Sequence, residues 1–279
     1  MNRTDQTDWP ARIAIIGVGL LGGSVALAIR RRNPGAQIVG CVRDPSKGDA
    51  LVARGLIDQF ADSVQDVCRD CDCVVVATPV DRLADLVIQV AKYSPAHCLI
   101  TDVGSTKAEI VAAVASDPLA AEKFVAAHPI AGSEKSGAEF ASEDLFDGKP
   151  VVLTPDQATH ADRLQRAIEF WTMVGGQTIV MSAPDHDVHL ASISHVPHLV
   201  SALVTNRVQG PAGKLVGSGW RDITRVAAGD PEMWTAICAA NRDAILGELD
   251  QFAEDLAELK AIIASGDDDR LCRWLAEAK

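Results

Sequence analysis

The stretch RIAIIGVGLLGGSVALAI, residues 12–29, decides the fold. It enters as a short apolar strand, turns through Gly17, Val18 and Gly19, and leaves as an apolar helix past Gly22. Gly17 permits the tight turn out of the strand. Gly19 lets the backbone approach a pyrophosphate with no Cβ in the way, and Gly22 lets the helix pack closely on the sheet. The N–H groups that open the helix, at Leu20 and Leu21, lack intrahelical partners, and together with the helix dipole they favour phosphate. In a strand–turn–helix context this glycine pattern marks a dinucleotide site.

Outward from there the chain alternates. Residues 36–42, 73–79 and 98–104 read as short, β-branched buried strands, with helical spacing over 80–93. Residues 105–115 read as a helix with Ser105 or Thr106 near its cap. Further strands are expected at 124–129, 150–155 and 177–182, the last after a helix over 161–174. Such alternation predicts an α/β fold, a doubly wound and mostly parallel sheet with helices on both faces. Ligands bind outside the carboxyl ends of such strands, which makes Thr78 and Pro79 cofactor-binding candidates beside the glycine turn. The strand signal stops near Pro184. A long apolar segment then runs to Gly210, one amphipathic helix is predicted over 232–264, and a last helix over 267–278. The chain thus divides into a dinucleotide-binding domain, residues 1–183 with 1–10 as a flexible lead-in, and an all-helical domain, residues 184–279. A helical domain of this size has a thin core by itself, so a homodimer of interleaved helices is expected, with packing on its own sheet domain as the alternative.

The 279 residues are 48% hydrophobic and 23% charged, ordinary for a soluble globular protein. A formal net charge of -12 argues against a nucleic-acid or anionic-membrane partner. The first ten residues lack the apolar core of a signal peptide, and no apolar run reads as long enough to span a bilayer. Seven cysteines form no disulfide framework. Cys68, Cys71 and Cys73 cluster, but no matching Cys or His pair follows, so free thiols in a reducing cytoplasm are expected.

The second strand decides the cofactor. Dinucleotide folds that take NAD end this strand in an acid that bonds the ribose hydroxyls. Here Val42 stands at that point and Arg43 follows. A guanidinium suits a ribose 2′-phosphate, and loss of the carboxylate removes a repulsion against it. NADP is therefore expected, with NAD as the alternative; Asp44 lies slightly later and could still reach a ribose.

Histidine is the natural general base near neutral pH, and His128 ends a strand before the loop HPIAGSEKSG, residues 128–137. The segment PDHDVHLASISHVPH, residues 184–198, holds four more histidines. At about 100° per residue His186 and His189 point to one side, and His195 and His198 to the other, so no metal site is expected. Arg221 and Arg225 lie one helical turn apart among apolar neighbours, which predicts a half-buried position needing a carboxylate partner.

These motifs together resemble the prephenate/arogenate dehydrogenase family. The matching stretches are GVGLLGGS (17–24), TDVGSTK (101–107), HPIAGSEKSG, the DHD and SHVPH pieces of 185–198, and WRDITRVAAGDPEMW (220–234), in family order. The resemblance implies a nicotinamide-binding domain joined to a helical dimerisation domain, without the chorismate mutase or regulatory domains of some relatives. It implies an oxidative decarboxylation in tyrosine biosynthesis: hydride leaves the hydroxyl-bearing ring carbon of prephenate or arogenate for the nicotinamide, carbon dioxide is lost, and the ring becomes aromatic. By resemblance His128 is the base for the hydroxyl proton and Ser105 hydrogen-bonds substrate and histidine. Arg225 grips a substrate carboxylate, while Ser133, His195 and His198 line the pocket. Glu134 and Asp187 hold the cations from behind. The second histidine of SHVPH leans toward prephenate. The departure from many relatives is at Val42 and Arg43. Two other readings remain: a different two-domain NADP oxidoreductase of the β-hydroxyacid dehydrogenase or imine reductase type, and a non-catalytic NADPH-binding sensor. The first would more naturally use a lysine in the helical half, and residues 184–208 contain none.

Overall fold

The computed structural model describes residues 9–132, 135–208 and 210–279. Eight strands form one sheet: β1 (Arg12–Ile16), β2 (Gln37–Cys41), β3 (Gln59–Ala61), β4 (Cys73–Val76), β5 (Leu99–Asp102), β6 (Phe124–Pro129), β7 (Pro150–Thr154) and β8 (Gln177–Val180). Their order is β3-β2-β1-β4-β5-β6-β7-β8. All pair in parallel except β6 with β7, so the sheet is mostly parallel, as predicted. From β1 the chain first builds outward to β2 and β3, then returns to lay β4 on the other side. That reversal opens a crevice at the carboxyl ends of β1 and β4.

The strands are apolar on both faces because helices cover both. Ile13 and Ile15 of β1 point into one core layer, and Ala14 and Ile16 into the other, the period-two alternation of a strand. Helices α1 (Leu20–Arg32) and α7 (Ala161–Val174) bury Val25, Ile29, Phe170 and Trp171 on the first face. Between them in sequence, α2 (Pro45–Ala53), α3 (Val64–Cys68), α4 (Leu83–Tyr93), α5 (Ala108–Ala115) and α6 (Pro118–Lys123) occur. Of these, α3, α4 and α5 cover the second face with Val67, Val87, Val90 and Ile110. Periodicity misses the three-residue β3 and the five-residue α3, which are too short to show a pattern. Residues 1–8 of the expected lead-in lie outside the described residues; Trp9, inside it, packs against the first core layer, so the docked chain begins before residue 11.

The helical half comprises α8 (Ala183–Leu190), α9 (Val196–Arg207), α10 (Ser218–Thr224), α11 (Pro231–Ala240), α12 (Arg242–Ser265) and α13 (Asp268–Glu277). The single helix predicted over 232–264 is two helices, broken at Asn241. Asn241 leaves helical backbone geometry because its side-chain amide donates to the Asp187 carbonyl at 2.7 Å and meets His195 Nδ1 at 3.1 Å. The run Ala183–Arg207 is 25 residues long and apolar enough to cross a membrane by length and composition, contrary to the sequence-based expectation. One face of it packs on the rest of the chain: His186, Asp187 and His195 are buried there and bonded to partners in other elements. The core of this half is thin, with Ala191, Val196 and Ile245 at its centre.

Candidate active site

Three strand ends build the site. At the end of β1, Gly17 has φ +95°, a left-handed conformation closed to side chains without strain. A Cβ on Gly17 would lie 2.4 Å from the Ala77 carbonyl oxygen, and one on Gly22 would lie 2.1 Å from that of Gly17. Space before Gly19 is open, and α1 starts there without a side-chain cap, at Leu20 and Leu21. An adjoining cavity of about 720 Å³ is lined by Gly17, Arg43, Asp62, Thr78, Pro79 and Arg82, among others. The Thr78 hydroxyl is buried there with no partner among the described residues. Open N–H groups, an orphaned hydroxyl and two guanidinium groups on one cavity fit a phosphorylated dinucleotide. Val42 is half-buried against the first core layer, and Arg43 is exposed at the cavity. Asp44 caps α2, accepting from Ser46 N at 3.0 Å and Ser46 Oγ at 2.7 Å. Those bonds hold its carboxyl below the usual range and commit it to the helix.

At the end of β5, Asp102 and Lys107 form an ion pair, both side chains fully buried. Asp102 also accepts from Gly104 N and Ala127 N, each at 2.8 Å, and so ties the end of β5 to β6. Ser105 sits half-buried in the loop this pair holds, making no side-chain hydrogen bond among the described residues. Ser105 and Thr106 lie near the start of the next helix as expected, but its cap is Lys107 and neither side chain caps it. Helix α5 starts at Ala108, and its free N–H groups are taken by a carboxylate 80 residues away in sequence. Asp187 accepts from Lys107 N and Ala108 N, each at 2.8 Å. A carboxylate with two N–H partners at a helix start satisfies orphan donors and opposes the dipole at once.

At the end of β6, His128 is half-buried. Its Nδ1 meets His186 Nε2 at 2.9 Å, and His186 Nδ1 meets Asp187 Oδ1 at 2.7 Å. Burial, then the neighbouring His186, Lys107 and His195, push the His128 pKa well below the usual histidine value. Its ring is therefore the neutral, proton-accepting form at neutral pH. His195 is buried beside this group and is pushed down to about 4, chiefly by burial. His198 stacks on Trp234 with ring centroids 3.5 Å apart, and burial also lowers its pKa.

The structure thus brings His128, His186, Asp187 and His195 together and carries His198 next to them through Trp234. It overturns the predicted histidine phases. His186 and His195 both face the His128 group, and His189 is exposed. Residues Ala191–His195 wind as a wider π turn, which rotates less per residue and brings His195 back round. Arg221 and Arg225 are exposed, not half-buried, because Ile223 and Val226 beside them are uncovered too. Neither arginine has an ion pair among the described residues. Ser133 and Glu134 lie outside the described residues.

Family models match nearly the whole chain: residues 25–180 fit "Prephenate dehydrogenase, nucleotide-binding domain" and residues 182–277 fit "Prephenate dehydrogenase, dimerization domain". The chain belongs to the prephenate dehydrogenase family. It is 34% identical to a cyclohexadienyl dehydrogenase of Zymomonas mobilis, over 96% of this chain and 93% of that protein. It is 33% identical to a prephenate dehydrogenase of Bacillus subtilis, over 96% of this chain and 74% of that protein. A solved prephenate dehydrogenase from A. aeolicus, in complex with hydroxyphenyl propionate and NAD+, superposes with a TM-score of 0.90. That match is 31% identical and covers 99% of this chain and 98% of that one. The family settles the fold class and the kind of cofactor, a nicotinamide dinucleotide. Sequence reasoning missed four polar residues around the family's motifs: Asp102, Lys107, His186 and Asn241. The one usable signal was polarity inside apolar runs, such as the Asp and Lys of TDVGSTK.

Proposed function

We propose that this chain catalyses the oxidative decarboxylation of prephenate to 4-hydroxyphenylpyruvate in tyrosine biosynthesis, and of arogenate to tyrosine at the same site, with NADP as the favoured cofactor. The observation that carries the reading is His128. One ring nitrogen meets His186, and the other has no hydrogen-bond partner among the described residues, at the end of β6. Gly17, Gly19, Leu20, Leu21, Gly22, Thr78 and Pro79 would hold the dinucleotide. When bound, its nicotinamide ring accepts the hydride. His128 Nε2 takes the hydroxyl proton as the ring carbon is oxidised, Ser105 aligns hydroxyl and imidazole, and Arg225 grips a carboxylate. His195, His198 and Ser133 shape the pocket, with Glu134 and Asp187 behind. Aromatisation drives the chemistry, so the protein mainly aligns the groups and removes a proton. Purified chain is mixed with prephenate or arogenate and with NADP or NAD, and absorbance of the reduced cofactor is followed. The strongest rise is expected with prephenate and NADP; no signal in any of the four mixtures contradicts the proposal.

Arg43 and Arg82 on one cavity support the NADP preference. Arg43→Ala is expected to weaken NADP by about ten- to hundredfold, the range for losing charged hydrogen bonds, with little change for NAD. Equal losses in a binding titration would make Arg43 a bystander. Arg225→Gln is expected to raise KM at least about tenfold with a smaller change in kcat. An unchanged KM would place the substrate carboxylate elsewhere.

The helical half, residues 184–279, is read as the surface of a homodimer. Ile193 is 70% exposed and Leu215 85%, with Leu203 and Ile263 also uncovered, around a three-residue core. Light scattering is expected to give twice the 29.5 kDa chain mass, and a species at the chain mass would contradict the dimer. The unpaired cysteines suit a cytoplasmic setting.

A further inference from the structure

We propose that His186 is a positioning residue that fixes the tautomer of His128, held in turn by Asp187. The inference rests on the reading of His128 as the base. Its warrant is hydrogen-bond bookkeeping along a chain of three groups, of which His186 and Asp187 are buried. A carboxylate only accepts. In the 2.7 Å contact between Asp187 Oδ1 and His186 Nδ1, the hydrogen therefore sits on His186 Nδ1. With His186 neutral, its one N–H is then used, and its Nε2 is bare. The 2.9 Å contact to His128 Nδ1 then takes its hydrogen from His128. His128 Nε2 is left bare, which is the form a general base needs. A free imidazole side chain prefers its hydrogen on Nε2, so without this partner the unproductive tautomer dominates.

The surroundings hold the chain of groups rigid. His186 is fully buried. The Asp187 carboxylate is pinned by the N–H groups of Lys107 and Ala108, and its carbonyl by Asn241. When His128 takes a proton, the imidazolium keeps its Nδ1–H bond to His186, and the Asp187 carboxylate at the far end stabilises the new charge. No proton has to move along the chain. Lys107 and His195, which also face His128, act against that charge from α5's start and from the π turn.

Two replacements at one buried position separate positioning from packing. His186→Gln places an amide oxygen where Nε2 stood and keeps an acceptor; His186→Met fills similar space without one. In steady-state assays of the full-length enzyme, His186→Met is expected to lower kcat on the order of ten- to hundredfold with KM within about twofold. His186→Gln is expected to recover most of that loss. Nitrogen-15 NMR of histidine-labelled protein, with His128 assigned from the His128→Asn spectrum, reads the tautomer without turnover. Wild type and His186→Gln should show His128 protonated on Nδ1, and His186→Met should show it protonated on Nε2. A wild-type His128 protonated on Nε2 overturns the proposal. So does a His186→Met enzyme with wild-type kcat when His128→Asn is inactive. Wild-type turnover in His128→Asn instead sinks the underlying catalytic reading, while the NMR result still judges the tautomer claim.

Discussion

Turnover in a His128→Asn variant falls by about 10²–10⁴-fold, the usual contribution of a positioned general base, while KM stays near wild type. Asparagine keeps much of the shape of the ring and can still hydrogen-bond His186, so packing at the end of β6 is retained. It cannot take the hydroxyl proton, and that proton must leave as the ring carbon is oxidised. Loss in kcat with little change in KM identifies an interaction made in the transition state. The same residue sets the acid limb of the wild-type profile. Burial, His186, Lys107 and His195 all oppose the charged ring, so its pKa lies well below the ordinary value of about 6.5. The active neutral form persists as pH drops through that value, and activity declines only at more acid pH. An acid limb centred at or above the ordinary histidine pKa, or a variant with wild-type kcat, contradicts this role.

Lys107→Met costs about 3–5 kcal/mol of stability, the range for removing one partner of a buried ion pair. Both Lys107 and Asp102 are fully buried. Asp102 keeps two backbone N–H donors, from Gly104 and Ala127, but loses its ion-pair partner. The pair also ties β5 to β6 and holds the loop bearing Ser105, so activity falls with stability. A second replacement, Asp102→Asn, in the Lys107→Met background restores part of the loss, because it removes the uncompensated charge. Urea denaturation midpoints with unchanged slope measure both effects. A Lys107→Met loss under about 1 kcal/mol would mean the pair does not anchor this corner.

The parts of the site visible in the sequence are those whose physics is local. The glycines at 17, 19 and 22 answer to a turn and a helix start within eleven residues, and the structure gives them the predicted positions. The strand ends that present Thr78 and His128 follow from short apolar runs bounded by proline. What stayed hidden depends on partners far along the chain. Asp187 caps a helix that begins 79 residues earlier, where a local Ser or Thr is the ordinary expectation. Asn241 breaks a long amphipathic pattern to reach His195 and the Asp187 carbonyl, and no propensity encodes that pull. Regular helical spacing puts His186 and His195 on opposite sides. The π turn at Ala191–His195 changes the count and brings them to one place. The apolar neighbours of Arg225 predict a half-buried position, yet Ile223 and Val226 are exposed in a single chain. Apolar residues that meet a partner chain and apolar residues of a chain's own core give the same pattern in one sequence.

A crystal structure of the enzyme with oxidised cofactor and a hydroxyphenyl substrate analogue measures the central distance directly. His128 Nε2 is expected within about 3.2 Å of the analogue hydroxyl, with the nicotinamide ring against the carbon that bears it. A hydroxyl bound by some other group, or an analogue seated away from the end of β6, would contradict the account.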